Sequence, residues 1–167
     1  MAHSRTRGIG QLDGQSLEHS ARTAIAAVVS ILVARTFRLP EYYWAPIITL
    51  VVMQSTLGAT VQVSGQRMVG TVLGAIAGAL LAPHFGASAG VFGTAVLALG
   101  LICAVLRVGR SAYRFSGITL AIVMLIARDK PAWLVAAHRF IEVSIGVAVG
   151  LAVTALWPER EADGAGS

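Results

Sequence analysis

Long apolar runs and short polar breaks alternate along the whole chain. A run of about 20 such residues crosses a bilayer as a helix. Residues 1–16 are polar and contain Gly8, Gly10 and Gly14, which predicts a flexible tail. The pattern then predicts a helix over 17–37, a break at Leu39-Pro40-Glu41, and a helix over 41–57 with Pro46 tolerated near its first turn. Residues 58–63 read as a turn, and Ser64 as the cap of a third helix over 64–82. A tight connection at 82–86 leads to an uncharged run over 87–106. Arg107, Arg110 and Arg114 form a basic turn before a helix over 112–127. Arg128-Asp129-Lys130-Pro131 breaks the chain again, with Asp129 as a cap and the proline in a first turn. A last helix runs over 132–157, and 158–167 is a polar tail. The fold class expected is therefore all-α: a polytopic membrane protein with a six-helix transmembrane domain over 17–157.

The third run carries one charge, Arg67, followed by Gly70, Gly74 and Gly78 at four-residue steps. Helical geometry puts these four on one face. Glycine costs about 1 kcal/mol against alanine inside a helix, so such a face needs a reason. In a bilayer the reason is close helix packing. Two readings of Arg67 stay open: a snorkelling interfacial arginine beside a packing ridge, or a charge facing a cavity at the centre of a bundle.

Composition fixes the class. The chain is 56% hydrophobic and 13% charged, against about 25% charged in a soluble domain. The net charge of +5 comes almost wholly from arginine, with Lys130 the one lysine. In a membrane protein that balance speaks to topology and lipid contact. It excludes nucleic-acid binding, for which no solvated basic domain is available. Basic residues are more numerous on the side of the termini, which places both termini in the cytoplasm. Cys103 is the single cysteine, so neither an intramolecular disulfide nor a cysteine metal site can form. Arg5 and Arg7 before the apolar run 23–34 imitate a signal peptide, but Leu32 stands where a small residue is needed, and the first helix reads as uncleaved.

The two halves of the chain can be superposed as sequence. Thr23-Ala24-Ile25 matches Thr94-Ala95-Val96, Ile48-Thr49-Leu50 matches Ile118-Thr119-Leu120, and Arg67, Gly70, Gly74, Gly78 match Arg139, Glu142, Gly146, Gly150, each about 70 residues on. A duplicated unit of three helices enters the membrane from opposite sides, which predicts a 3+3 inverted repeat with a site where the units meet. Gly146 and Gly150 would then pack as Gly70, Gly74 and Gly78 do, with the third and sixth helices crossing closely.

Arg139 and Glu142 lie in the sixth helix. If that helix starts at Ala132, Glu142 is about 15 Å in, where an ionisable group is costly and functional by default. If it starts near Ala137, both are interfacial. Histidine titrates near neutral pH, which makes His138 and His19, together with Glu18, the positions suited to proton coupling. Neither a metal-ligand cluster, a nucleophilic triad nor a phosphate-binding loop is present, so no cofactor or metal is expected and the sequence points away from an enzyme.

Three strings carry a family likeness: Tyr43-Trp44-Ala45-Pro46-Ile47-Ile48-Thr49, Val52-Met53-Gln54-Ser55-Thr56-Leu57-Gly58-Ala59-Thr60, and Gln66-Arg67-Met68-Val69-Gly70-Thr71-Val72-Leu73-Gly74-Ala75. They resemble the fusaric-acid-resistance-like family, which includes bacterial aromatic acid exporters and is related to plant aluminium-activated malate transporters. The resemblance implies an inner-membrane secondary transporter of small organic anions, often aromatic carboxylates. It also implies that Trp44, Pro46, Gln54, Arg67, Gly70 and Gly74 lie on motif positions. Arg67, Arg139, Glu142, Gln54 and Trp44 are then the expected substrate-binding set. The large exporters carry two membrane halves and cytosolic domains. One six-helix unit implies assembly as a homodimer or higher homo-oligomer. An anion channel and a non-transporting membrane subunit are the competing readings.

Overall fold

The computed structural model describes residues 14–54, 56–126 and 130–157. Every element in them is helical: α1 (Gly14–Thr36), α2 (Trp44–Val52), α3 (Leu57–Phe85), α4 (Ala89–Val105), α5 (Arg110–Ala121) and α6 (Ala132–Leu156). α5 continues as a π-helical turn, Ile122–Ile126. The predicted tail at 158–167 and most of that at 1–16 lie outside the described residues, as does Asp129; α1 itself starts at Gly14.

α1, α3 and α6 are long and apolar enough to cross a membrane, and α4 is a shorter apolar helix of 17 residues. α3 has 29 residues and extends about 43 Å. α2 departs from the expected helix over 41–57. It has nine residues, about 13 Å, against about 30 Å of hydrocarbon. The chain leaves the helix at Met53, whose ψ is 126°, and Thr56 caps α3 by accepting the Ala59 N–H. Residues 58–63 are thus the first turns of α3 instead of a loop, and Thr56 takes the capping role expected of Ser64. Backbone groups freed inside a membrane must find partners. The Gln54 N–H goes to Thr60 Oγ1 at 3.2 Å, and the Gln54 carbonyl accepts from Arg22 at 2.7 Å.

α1 and α4 end alike. Arg38 and Arg107 adopt φ of 51° and 53°, the left-handed conformation that usually falls to glycine at a helix end. Leu39 N–H reaches Ala34 O and Val108 N–H reaches Cys103 O, while Arg38 and Arg107 donate to Arg35 O and Ala104 O. These are two copies of one termination motif.

The largest helix contacts join α3 to α5, α3 to α6 and α2 to α6. The glycines explain two of them. A Cβ at Gly70 would lie 2.4 Å from Ala112 O, one at Gly74 2.2 Å from Ser116 O, and one at Gly78 2.7 Å from Val123. The α3 ridge therefore seats α5 and its π turn, with the two helices running parallel. In α6, a Cβ at Gly146 would lie 2.7 Å from Ala45 O and one at Gly150 2.9 Å from Val52. That ridge seats α2, again in parallel. This corrects the expectation that the two glycine faces meet one another. α3 and α6 do pack together, antiparallel, through side chains. The last turns of α3 and the first of α6 line one cavity, through Ala82, Pro83, Ala132 and Trp133. At the far end Arg22 bridges Trp157, just past α6, to Gln54 beside the start of α3.

Small apolar clusters fill the interior, including Ile48, Val52, Val143 and Val147 between α2 and α6, and Ala95, Leu99, Leu120 and Met124 between α4 and α5. Large side chains on α1 (Val28, Leu32) and α4 (Leu97, Leu101, Val105) face outward. In water such a surface would aggregate, whereas acyl chains solvate it.

Candidate functional site: a buried arginine seam between α3 and α6

Thr60, Ser64, Arg67, Thr71 and Gly74 recur at helical spacing on the buried face of α3. Arg67 is 5% exposed. Its guanidinium lies 4.4 Å over the ring of Phe115 in α5, close enough for cation–π attraction. Among the described residues it has no carboxylate within ion-pairing distance. Its Nε and the Ser64 Oγ are both buried without a hydrogen-bond partner among those residues. Burying a polar group without a partner costs free energy, and an unpaired charge costs far more. This arrangement is therefore not explained by stability.

α6 starts at Ala132, so the deeper of the two sequence readings of Glu142 holds and the carboxylate is about 15 Å into the helix. Arg139 is 4% exposed, with its guanidinium 4.1 Å over the ring of Trp44. Its Nη1 is 3.3 Å from Glu142 Oε2, and its Nη2 pairs with Glu41. Glu41 is half-buried and lies 4.0 Å from Lys130 at the rim. Glu142 is fully buried, and neither of its oxygens accepts a well-directed hydrogen bond. The contact with Arg139 is thus an ion pair by distance and not a hydrogen bond by geometry. Among the described residues, Arg67, Arg139 and Lys130 against Glu41 and Glu142 leave the seam one positive charge in excess.

The structure brings Arg67, Arg139, Glu142 and Trp44 to this seam, but not the whole expected set. Gln54 lies in the break between α2 and α3, where its side chain donates to the Met53 carbonyl at 2.9 Å and its backbone is held by Arg22 and Thr60. The proton-coupling positions do not converge either. Glu18 accepts from Trp157 Nε1 at 2.8 Å and His19 approaches Arg22, whereas His138 lies near the opposite end of α6. Arg22, fully buried, donates to the carbonyls of Trp157 and Gln54 and ties the ends of α6 and α2 to α1.

Sequence reasoning missed Phe115, Glu41 and Ser64 as members of the seam. Phe115 was not recoverable from the sequence match, which sets Ile48 against Ile118 and so Arg114 against Trp44; the helix seating shifts the match by one, with Ser116 and Thr119 facing Gly74 as Ala45 and Ile48 face Gly146, and sets Phe115 against Trp44. Phe115 also lines a cavity of about 680 Å³ between α4 and α5, together with Phe92, Val96 and Tyr113. Glu41 and Ser64 read locally as helix-start residues, and only the tertiary fold carries them to the arginines.

The family model described as fusaric acid resistance protein-like matches residues 25–153. Inner membrane protein YeeA of Escherichia coli (strain K12) is 30% identical over 150 residues, which are 85% of this chain and 41% of that protein. The chain thus spans less than half the length of that relative. No solved structure matches.

Proposed function

The chain belongs to the fusaric acid resistance protein-like family, and on that premise we propose that it is a secondary transporter of small organic anions, aromatic carboxylates foremost, in a bacterial inner membrane. The observation that carries the reading is Arg67: a guanidinium 5% exposed, backed by an aromatic ring and without a carboxylate among the described residues. Arginine holds a carboxylate bidentately and keeps its charge when partly desolvated. An anion bound there neutralises the excess charge of the seam. Arg139 already has Glu142 and Glu41, so it tunes the field and Arg67 makes the contact.

The six helices form two inverted three-helix units in this reading, and the termini are cytoplasmic. Three observations support the repeat: the paired termination motifs of α1 and α4, the reciprocal seating of α5 on α3 and of α2 on α6, and the two arginine–aromatic pairs. Units of this kind place substrate between them and rock about it. The protein acts as a homodimer, which mass measurement in mild detergent checks. The functional test is flux of benzoate, other aromatic acids and aliphatic carboxylates into proteoliposomes. Saturable uptake of an aromatic carboxylate is the result expected. A conductance without saturation favours a channel, and no flux of any carboxylate overturns the reading.

A further inference from the structure

We infer that the seam is built for one monovalent carboxylate and that Ser64 is a second donor to it; this rests on the transport reading above and assigns its substrate valence. Ser64 precedes Arg67 by three residues and shares its buried face. It is 2% exposed, and its Oγ has no hydrogen-bond partner among the described residues. The Nε of Arg67 is in the same condition. An oxyanion reaching this face meets a charged N–H and a hydroxyl, both buried and both without a hydrogen-bond partner among the described residues.

The valence follows from the other charges. Among the described residues Arg67, Arg139 and Lys130 stand against Glu41, which pairs with Arg139 and approaches Lys130, and Glu142, so one negative charge completes neutrality. A dianion would bury a second, uncompensated charge in the seam, and a desolvated unpaired charge is a strong means of rejecting a ligand. The Arg139 half lacks the features that receive an anion. Ala136, buried and without a donor, occupies the position in α6 that Ser64 occupies in α3, and Glu142 occupies that of Gly70. The internal carboxylate thus fills one arginine and leaves the other for substrate.

The test is calorimetric titration of the purified full chain in detergent with benzoate, monomethyl phthalate and phthalate. Monomethyl phthalate matches phthalate in shape and carries a single charge. The two monoanions should bind, and phthalate should bind at least about tenfold more weakly. Glu142→Gln should raise phthalate relative to monomethyl phthalate by about tenfold or more. Ser64→Ala should weaken both monoanions by about three- to tenfold and leave that ratio unchanged. Phthalate binding as tightly as its monoester to the wild-type protein overturns the valence assignment while transport stands. Unchanged monoanion affinity in Ser64→Ala removes the serine from the site. Absence of binding by any of the three sinks the transport reading itself.

Discussion

Arg67 lies 4.4 Å over Phe115 and Arg139 lies 4.1 Å over Trp44, so the two halves of the seam hold a guanidinium on the same kind of support. Their electrostatic settings are opposite. Arg139 is neutralised by Glu142 and Glu41, and Arg67 by no described residue. The difference separates two jobs that an arginine in a membrane can do. One is a closed ion pair whose removal leaves a buried charge behind. The other is a buried cation with no carboxylate among the described residues, which the transport reading fills with an anion from outside. Position in the helix does not distinguish them, and neither does burial; the carboxylates do.

Several variants break or sharpen this contrast. Arg139→Ala should have the largest effect, because it strands the fully buried Glu142. Losing one partner of a buried pair costs about 3–5 kcal/mol, which thermal unfolding in detergent will register, and adding Glu142→Gln should restore much of it. Arg67→Ala should not show this loss. It removes a buried charge that has no internal partner, so its melting temperature should match or exceed that of the wild type. Next in size is the seating of the helices. Gly74→Leu drives a side chain into the Ser116 carbonyl, 2.2 Å from where a Cβ would stand, and overpacking of this kind costs about 1–3 kcal/mol. Gly146 has slightly more room, 2.7 Å to Ala45 O, so Gly146→Leu should cost no more. Gly58→Ala, at a position in the first turn of α3 where a Cβ meets nothing within 4 Å, should leave the melting temperature unchanged or slightly raised. Glu41→Gln should have the smallest effect, since Glu41 is 30% exposed and a partly solvated pair is worth little, about 1 kcal/mol or less. A shift of less than about threefold in carboxylate affinity is expected.

The long helices were legible because an apolar run bounded by a cap and a glycine leaves few alternatives. α6 starts at Ala132 as its pattern says, whereas α3 was legible in its middle and not at its ends: Thr56 caps it eight residues before Ser64, and it runs through Pro83 to Gly86, whose φ is 56°. α2 was overextended for a physical reason. The apolar run continues through Met53, and what permits the break is non-local: Thr60 and Arg22 satisfy the backbone of Gln54. The glycine ridges were legible as packing faces but not in their partners, because spacing gives the face of a helix and not the neighbour it meets. Arg67 and Arg139 stood out as charges in apolar runs. Glu142, three residues after Arg139, was legible as its partner; Glu41, which the fold brings to Arg139 from the break before α2, was not.

The most direct measurement of the account is benzoate affinity in Arg67→Ala beside the Arg139→Ala/Glu142→Gln pair, both folded and reconstituted in liposomes. Arg67 as the anion contact predicts a loss of about 10- to 150-fold in the first, the worth of one charge-assisted interaction. The double variant removes a positive and a negative charge together and should stay within about threefold of the wild type, as no net charge is lost. Unchanged affinity in Arg67→Ala, with the loss falling on the double variant, would contradict the assignment and make Arg139 the anion's partner.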